Sequence, residues 1–207
     1  MNENVYEKYS RKRLNDAFEF CEGYKEYLSK AKTEREVIIE TVKLAKENGF
    51  VDIKEYVDGN KKLKPGDKIY AINMDKAMIL AVIGKENLEQ GLNIVGSHID
   101  SPRLDLKSTP LYEDDNICLF DTHYYGGIKK YQWTALPLAL HGVVVKKDGT
   151  KINLCIGENE TDPVFGISDL LPHLDKEKRN EAVTGEELNI IAGTIPDSNA
   201  SKNKVKE

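Results

Sequence analysis

A histidine two residues ahead of an aspartate, at the end of an apolar run, is the pattern in this chain best suited to chemistry. It lies in Ile94-Val95-Gly96-Ser97-His98-Ile99-Asp100-Ser101-Pro102-Arg103-Leu104-Asp105. On an extended backbone the side chains of residues i and i+2 share a face. A carboxylate at Asp100 can then accept a hydrogen bond from one ring nitrogen of His98, fixing the tautomer and leaving the other nitrogen for a metal ion. Pro102 holds the exit. One histidine makes no metal site, so these two residues alone favour a half-buried histidine beside a turn carboxylate.

The other candidates read more blandly. His123 sits in Asp121-Thr122-His123-Tyr124, whose aromatic company suggests packing, and His141 precedes Gly142 after an apolar run. His173, in Leu171-Pro172-His173-Leu174, reads by itself as a polar residue closing a short amphipathic helix. Asp114 and Asp115 are adjacent, and adjacent strand residues face opposite ways, which argues against a shared-proton pair. Tyr124-Tyr125-Gly126-Gly127 lacks the G-x-G-x-x-G spacing and following helix of a phosphate cradle.

The elements that must position these groups follow from periodicity. Leu14, Phe18, Cys21, Tyr24 and Leu28 recur at three- and four-residue intervals, which predicts a helix with that face buried. Thr33-Glu34-Arg35-Glu36 matches a capping box and starts a second helix, buried through Val37, Ile38, Thr41, Val42 and Ala45 and ended by Asn48-Gly49. Short β-rich runs follow at 51–57, 69–73, 77–83 and 92–95, separated by Asp58-Gly59-Asn60 and Lys64-Pro65-Gly66-Asp67 turns. The run 77–83 is almost continuously apolar, as in a strand covered on both faces, so a layered α/β domain is expected. His98 and Asp100 then belong at the C-terminal end of a core strand, where ligands gather in such sheets. Beyond residue 117 the pattern stays β-rich, with helical spacing only at 167–174, and 136–145 and 151–156 form a hairpin in which Asp148-Gly149 supplies the positive φ angles. The polar tail from Ser198 reads alone as a frayed terminus.

Composition bounds the class. The 207 residues carry 30 Lys and Arg against 35 Asp and Glu, a net charge of −5, with 40% hydrophobic residues. A chain this long buries a real core without disulfide staples. Its charges are dispersed and acidic on balance, which argues against a disordered tail and a nucleic-acid partner. No apolar stretch reaches the roughly 18 residues of a membrane span, and MNENVYEKYSRKRLND has no signal core, so a cytoplasmic protein is expected. Cys21, Cys118 and Cys155 are odd in number and widely spaced, which predicts reduced core residues.

Gly96-Ser97-His98-Ile99-Asp100-Ser101-Pro102-Arg103-Leu104-Asp105-Leu106-Lys107 resembles the metal-binding signature of the aspartyl aminopeptidase and aminopeptidase I family of zinc metallopeptidases. Pro110-Leu111-Tyr112-Glu113, Tyr124-Tyr125-Gly126-Gly127-Ile128, Tyr131-Gln132-Trp133 and Ile167-Ser168-Asp169-Leu170-Leu171-Pro172-His173-Leu174 agree with it. The resemblance covers essentially the whole chain and about the first half of a family member. It implies that His98 is a zinc ligand, that Asp100 orients it and supports a two-zinc site, and that His173 is either zinc-associated or reaches a neighbouring subunit's site. The family's bridging Asp, its Glu pair and its late Asp and His are expected beyond this chain's end. Glu186-Glu187 resembles the family's linking segment and reads as solvated surface.

The fold expected is therefore α/β: a partial zinc-peptidase-like domain over residues 1–103, an inserted β-rich oligomerisation domain over 104–193, and a return linker over 194–207 toward a missing C-terminal catalytic part. The function expected is hydrolysis of the N-terminal residue of peptides at a dinuclear zinc site only partly encoded here, by a homo-oligomer with no membrane or nucleic-acid partner. The alternative is a non-catalytic truncated chain or dimerisation module of the same family.

Overall fold

The computed structural model describes residues 4–171, 173–174 and 183–206. The chain divides into two compact units, Met1–Ser101 and Pro102–Glu207.

The first unit begins with three helices, α1 (Val5–Lys8), α2 (Arg11–Lys30) and α3 (Glu34–Glu47). The capping box forms as expected: the Thr33 hydroxyl accepts from the Glu36 N–H, and the Glu36 carboxylate accepts from the Thr33 N–H at 2.9 Å. Val37, Ile38 and Ala45 are buried and Thr41 and Val42 half-buried, while Gly49 ends the helix at a φ of 79°. The expected burial of α2 is not found. Phe18, Cys21, Tyr24 and Leu28 are exposed, and α2 is tied to α3 near its C-terminal end, where the Tyr27 and Thr41 hydroxyls lie 2.8 Å apart. Periodicity shows that a helix has an apolar face without showing what meets it.

The run 51–57 is a strand for two residues only, β1 (Val51–Asp52), and then turns into α4 (Ile53–Asp58). Asp52 explains the change, because its carboxylate accepts the Lys54 N–H at 2.9 Å and caps the new helix. β1 pairs in parallel with β2 (Lys68–Asn73), and β2 pairs antiparallel with β3 (Ala77–Val82), in the order β1-β2-β3. Ile69 and Tyr70 of β2 are buried. β3 is not covered on both faces as expected: the neighbours Ile79 and Leu80, which point to opposite sides, are 71% and 43% exposed. Nor does 92–95 form a strand. Residues 91–102 carry neither helix nor strand, and Ile94 and Val95 are 82% and 99% exposed. A strand exists by pairing, and no described strand pairs with this run.

In the second unit β4 (Arg103–Asp114), β5 (Ile117–Tyr125) and β8 (Ile190–Gly193) form an antiparallel sheet, with β6 (Leu140–Val145) and β7 (Lys151–Ile156) as a separate hairpin. Asp115 and Asn116, with φ of 47° and 62°, make the tight turn between β4 and β5. In the β6–β7 loop Gly149 alone of the Asp-Gly pair takes a positive φ, 84°, and the Lys146 N–H donates to the Thr150 carbonyl at 2.9 Å, a three-residue loop in place of a two-residue one. Ile167, Leu188 and Ile190 form the core, packed against Leu104, Phe120 and Phe165. The buried Thr122 hydroxyl donates to the Leu188 carbonyl at 2.6 Å, locking β5 to the segment before β8.

The helix expected at 167–174 is absent from its described residues: 167–171 have no regular structure, and 173–174 lie in a turn. Pro172, itself outside the described residues, disfavours helical geometry in the residue before it. The tail folds back rather than fraying, since the N–H groups of Val205 and Lys206 donate to the Glu113 carboxylate at 2.8 and 2.9 Å. None of the three cysteines is in a disulfide, but only Cys118 is buried, whereas Cys21 and Cys155 are exposed. Among the described residues no helix is long and apolar enough to cross a membrane.

Candidate metal centre

His98 and Asp100 converge as their spacing suggests. Nδ1 of His98 lies 3.1 Å from Oδ1 of Asp100 and 3.1 Å from the Asp100 backbone carbonyl. They do so within the irregular stretch 91–102 rather than at a strand end. The two-residue reach is enough by itself, because the backbone carbonyl and the carboxylate of one residue both accept from the same ring nitrogen. Nδ1 engaged in this way carries the proton, which puts the lone pair on Nε2, and the His98 side chain is 83% exposed. A histidine held at one nitrogen by a carboxylate and open at the other is the donor chemistry zinc takes. The fit is partial. Among the described residues no group of three His, Cys, Asp or Glu side chains is placed to hold a metal ion.

His173 lies in the second unit, exposed, in a turn closed by the Leu174 N–H donating to the Leu171 carbonyl at 2.8 Å. The remaining histidines have partners of their own. His123 stacks on Tyr124 at 5.3 Å, and Nε2 of the half-buried His141 lies 2.9 Å from Oε1 of Glu158. Glu186 and Glu187 are exposed, and Glu187 closes a turn by accepting the Thr184 N–H at 2.7 Å.

One ordered polar group is not apparent from local sequence. Arg103, Asp105 and Lys107 of β4 share a sheet face with Asp121, His123 and Tyr125 of β5. Arg103 Nε donates to Asp105 Oδ1 at 2.7 Å and its guanidinium lies 4.1 Å from the centre of the Tyr125 ring, while Lys107 pairs with Asp121 at 2.9 Å. That hydrogen bond to Asp121 raises the Lys107 pKa. Charged residues at every second position were the available signal. It is a paired ladder, acid against base, and holds no cluster suited to a metal.

Comparison with known proteins gives the same direction over the whole length. The family model described as aminopeptidase I zinc metalloprotease (M18) matches residues 27–207. A probable M18 family aminopeptidase 1 from Clostridium acetobutylicum is 50% identical, over 98% of this chain and 45% of its own. The crystal structure of an M18 family aminopeptidase from Thermotoga maritima superposes with a TM-score of 0.87 at 46% identity, over 100% of this chain and 44% of that one. A structure of an S. cerevisiae mApe1 dodecamer shares the fold at a TM-score of 0.62 and 20% identity, over 86% of this chain and 39% of that one. The chain thus spans less than half the length of these relatives.

Proposed function

Because the chain belongs to the aminopeptidase I zinc metalloprotease family (M18), we propose that it carries one wall of a zinc centre that removes the N-terminal residue from peptides. His98 is the zinc ligand, through Nε2, and Asp100 is the carboxylate that orients it. The observation that carries this reading is the 3.1 Å approach of Asp100 Oδ1 to His98 Nδ1 inside the family's signature segment. Two zinc ions, when bound, supply a water of lowered pKa and a polarised peptide carbonyl. Asp100 keeps the Nδ1 proton in place, makes the ring a better donor and holds its plane. The other ligands and the proton-transferring Glu belong, on this reading, to the portion that the longer relatives carry beyond the matched part.

The same reading places the catalytic part in residues 1–103, the β-rich assembly part in 104–193 and a return linker in 194–207. The division of the chain between Ser101 and Pro102 supports the first boundary. His173 then serves either the zinc ions or a neighbouring subunit's site, in a homo-oligomer for which the yeast dodecamer is a fold-level precedent. Exposed Cys21 and Cys155 thiols outside any disulfide suit a reducing cytoplasm.

Zinc titration of the whole chain beside His98→Ala tests the assignment. Binding should be weak in the chain and lost in the variant; equal binding by both removes His98 from the site. The absence of a three-group cluster among the described residues favours a second reading, a non-catalytic module of the family. Robust zinc-dependent release of N-terminal residues by the chain alone, abolished by His98→Ala, would sink that second reading.

A further inference from the structure

We infer that Cys155 is a reactive thiol, set up by His141 and Glu158 on the β6–β7 hairpin, whose reaction partner is a low-molecular-weight disulfide. The inference lies outside the zinc site and stands or falls apart from the family reading.

The hairpin register brings the three groups together. His141 of β6 lies directly opposite Cys155 of β7, so the two side chains share a face with their Cβ atoms about 5 Å apart. Nε2 of His141 lies 2.9 Å from Oε1 of Glu158, and the His141 side chain is only 11% exposed. A ring nitrogen engaged by a carboxylate carries the proton. That puts the lone pair on Nδ1, the nitrogen nearer the backbone and within reach of a side chain on the facing residue. Nδ1 can then take the Cys155 proton, and Glu158 stabilises the imidazolium that results. Thiol, imidazole and carboxylate thus stand in the order that activates a nucleophile.

The turn after β7 is built to hold Glu158 there. The Asp162 carboxylate accepts from the N–H groups of Gly157 and Asn159, on either side of Glu158, at 3.0 and 3.2 Å. These bonds keep its carboxyl below the ordinary carboxylate range. Gly157 has a φ of 104° and packs so closely that a Cβ there would lie 3.0 Å from the Cα of Ala139, just before β6. The rest of this ladder face is Val143 opposite Asn153 and Val145 opposite Lys151, so none of its residues sets a carboxylate against a thiolate. Glu160, the remaining carboxylate of the turn, is exposed, as is Cys155 itself. Cys21 of α2, by contrast, has Ala17, Phe18, Tyr24 and Lys25 at three and four positions and no imidazole among them.

The step is a thiol–disulfide exchange. The Cys155 proton passes to Nδ1 of His141, and Sγ forms a bond to one sulfur of the disulfide. The S–S bond breaks, and the departing thiolate takes the proton from the imidazolium. The products are a mixed disulfide on Cys155 and one small thiol, the disulfide having served as the oxidant.

The test follows alkylation of the whole chain by iodoacetamide, thiol by thiol, with peptide mass spectrometry across a pH series. At about pH 6 Cys155 should react at least about tenfold faster than Cys21, because a larger thiolate fraction outweighs its lower intrinsic nucleophilicity. His141→Gln should bring the rate and pH profile of Cys155 to those of Cys21. Glu158→Gln, which keeps a hydrogen-bonding side chain without the charge, should slow Cys155 by about threefold. Circular dichroism should be unchanged in both variants, and Glu158→Gln decides alone if His141→Gln does not fold. Oxidised glutathione should place a mixed disulfide on Cys155 before Cys21. Equal rates at Cys155 and Cys21 near pH 6, or a Cys155 rate that no folded variant moves, overturns the inference. A Cys155 that stays unlabelled in the native chain at every pH overturns it as well.

Discussion

Asp100 grips one nitrogen of His98 with two oxygens, its Oδ1 and its own carbonyl, each at 3.1 Å. The carbonyl would survive a change of side chain, so Asp100→Asn should keep the tautomer while removing the charge behind it. Zinc affinity should then fall by about tenfold, the scale of outer partners of metal ligands, with no change in unfolding temperature. Competition against a chromophoric chelator reads the affinity, and an unchanged value would separate Asp100 from the metal. The thiols divide just as sharply. Burial raises the pKa of Cys118 and Glu113 adds to the rise, whereas Cys21 and Cys155 are exposed. A disulfide reagent at pH 8 should label two thiols quickly and the third only on unfolding; three equal rates would contradict the burial of Cys118.

Local devices at helix and strand ends set how well each element stands by itself. Thr33→Ala removes one side of the capping box on α3 and should lower stability by about 1 kcal/mol in urea unfolding. Leu188, 0% exposed at the centre of the second unit, should cost about 3 kcal/mol on truncation to Ala, a loss confined to that unit's transition. These elements also show which signals a sequence carries. The capping box and the position of the β6–β7 loop were legible because each is decided within five residues, whereas the loop's conformation was not. The run 51–57 has the β-branched composition of a strand, but Asp52 caps a helix within it and the cap prevails. The α2 stripe, the two-sided cover of β3 and the strand at 92–95 depend on what lies opposite them, which no local pattern encodes. The candidate site divides likewise: the approach of Asp100 to His98 follows from two-residue spacing, while the ladder of Arg103, Asp105 and Lys107 needed β5 in register to be seen.

At the scale of the whole molecule, family membership was legible in twelve contiguous residues from Gly96 to Lys107, whose run of residue types resembles the family's signature over its whole length. The twelve residues 91–102, which hold the dyad and run up to the division between Ser101 and Pro102, have a further consequence. Backbone that belongs to no ladder or helix can adapt to the extended cleft of a protease, and this stretch offers it beside bulky Leu92, Ile94 and Val95. Brief digestion with subtilisin should therefore nick the 23.4 kDa chain here, giving two fragments of nearly equal mass whose new N-terminus lies within 91–102. A first cut inside β4 or β5 would speak against it. The segment proposed to hold zinc is thus also open to cleavage, and protection from a nick reports on the state of that segment in a cell lysate, where no metal can be titrated.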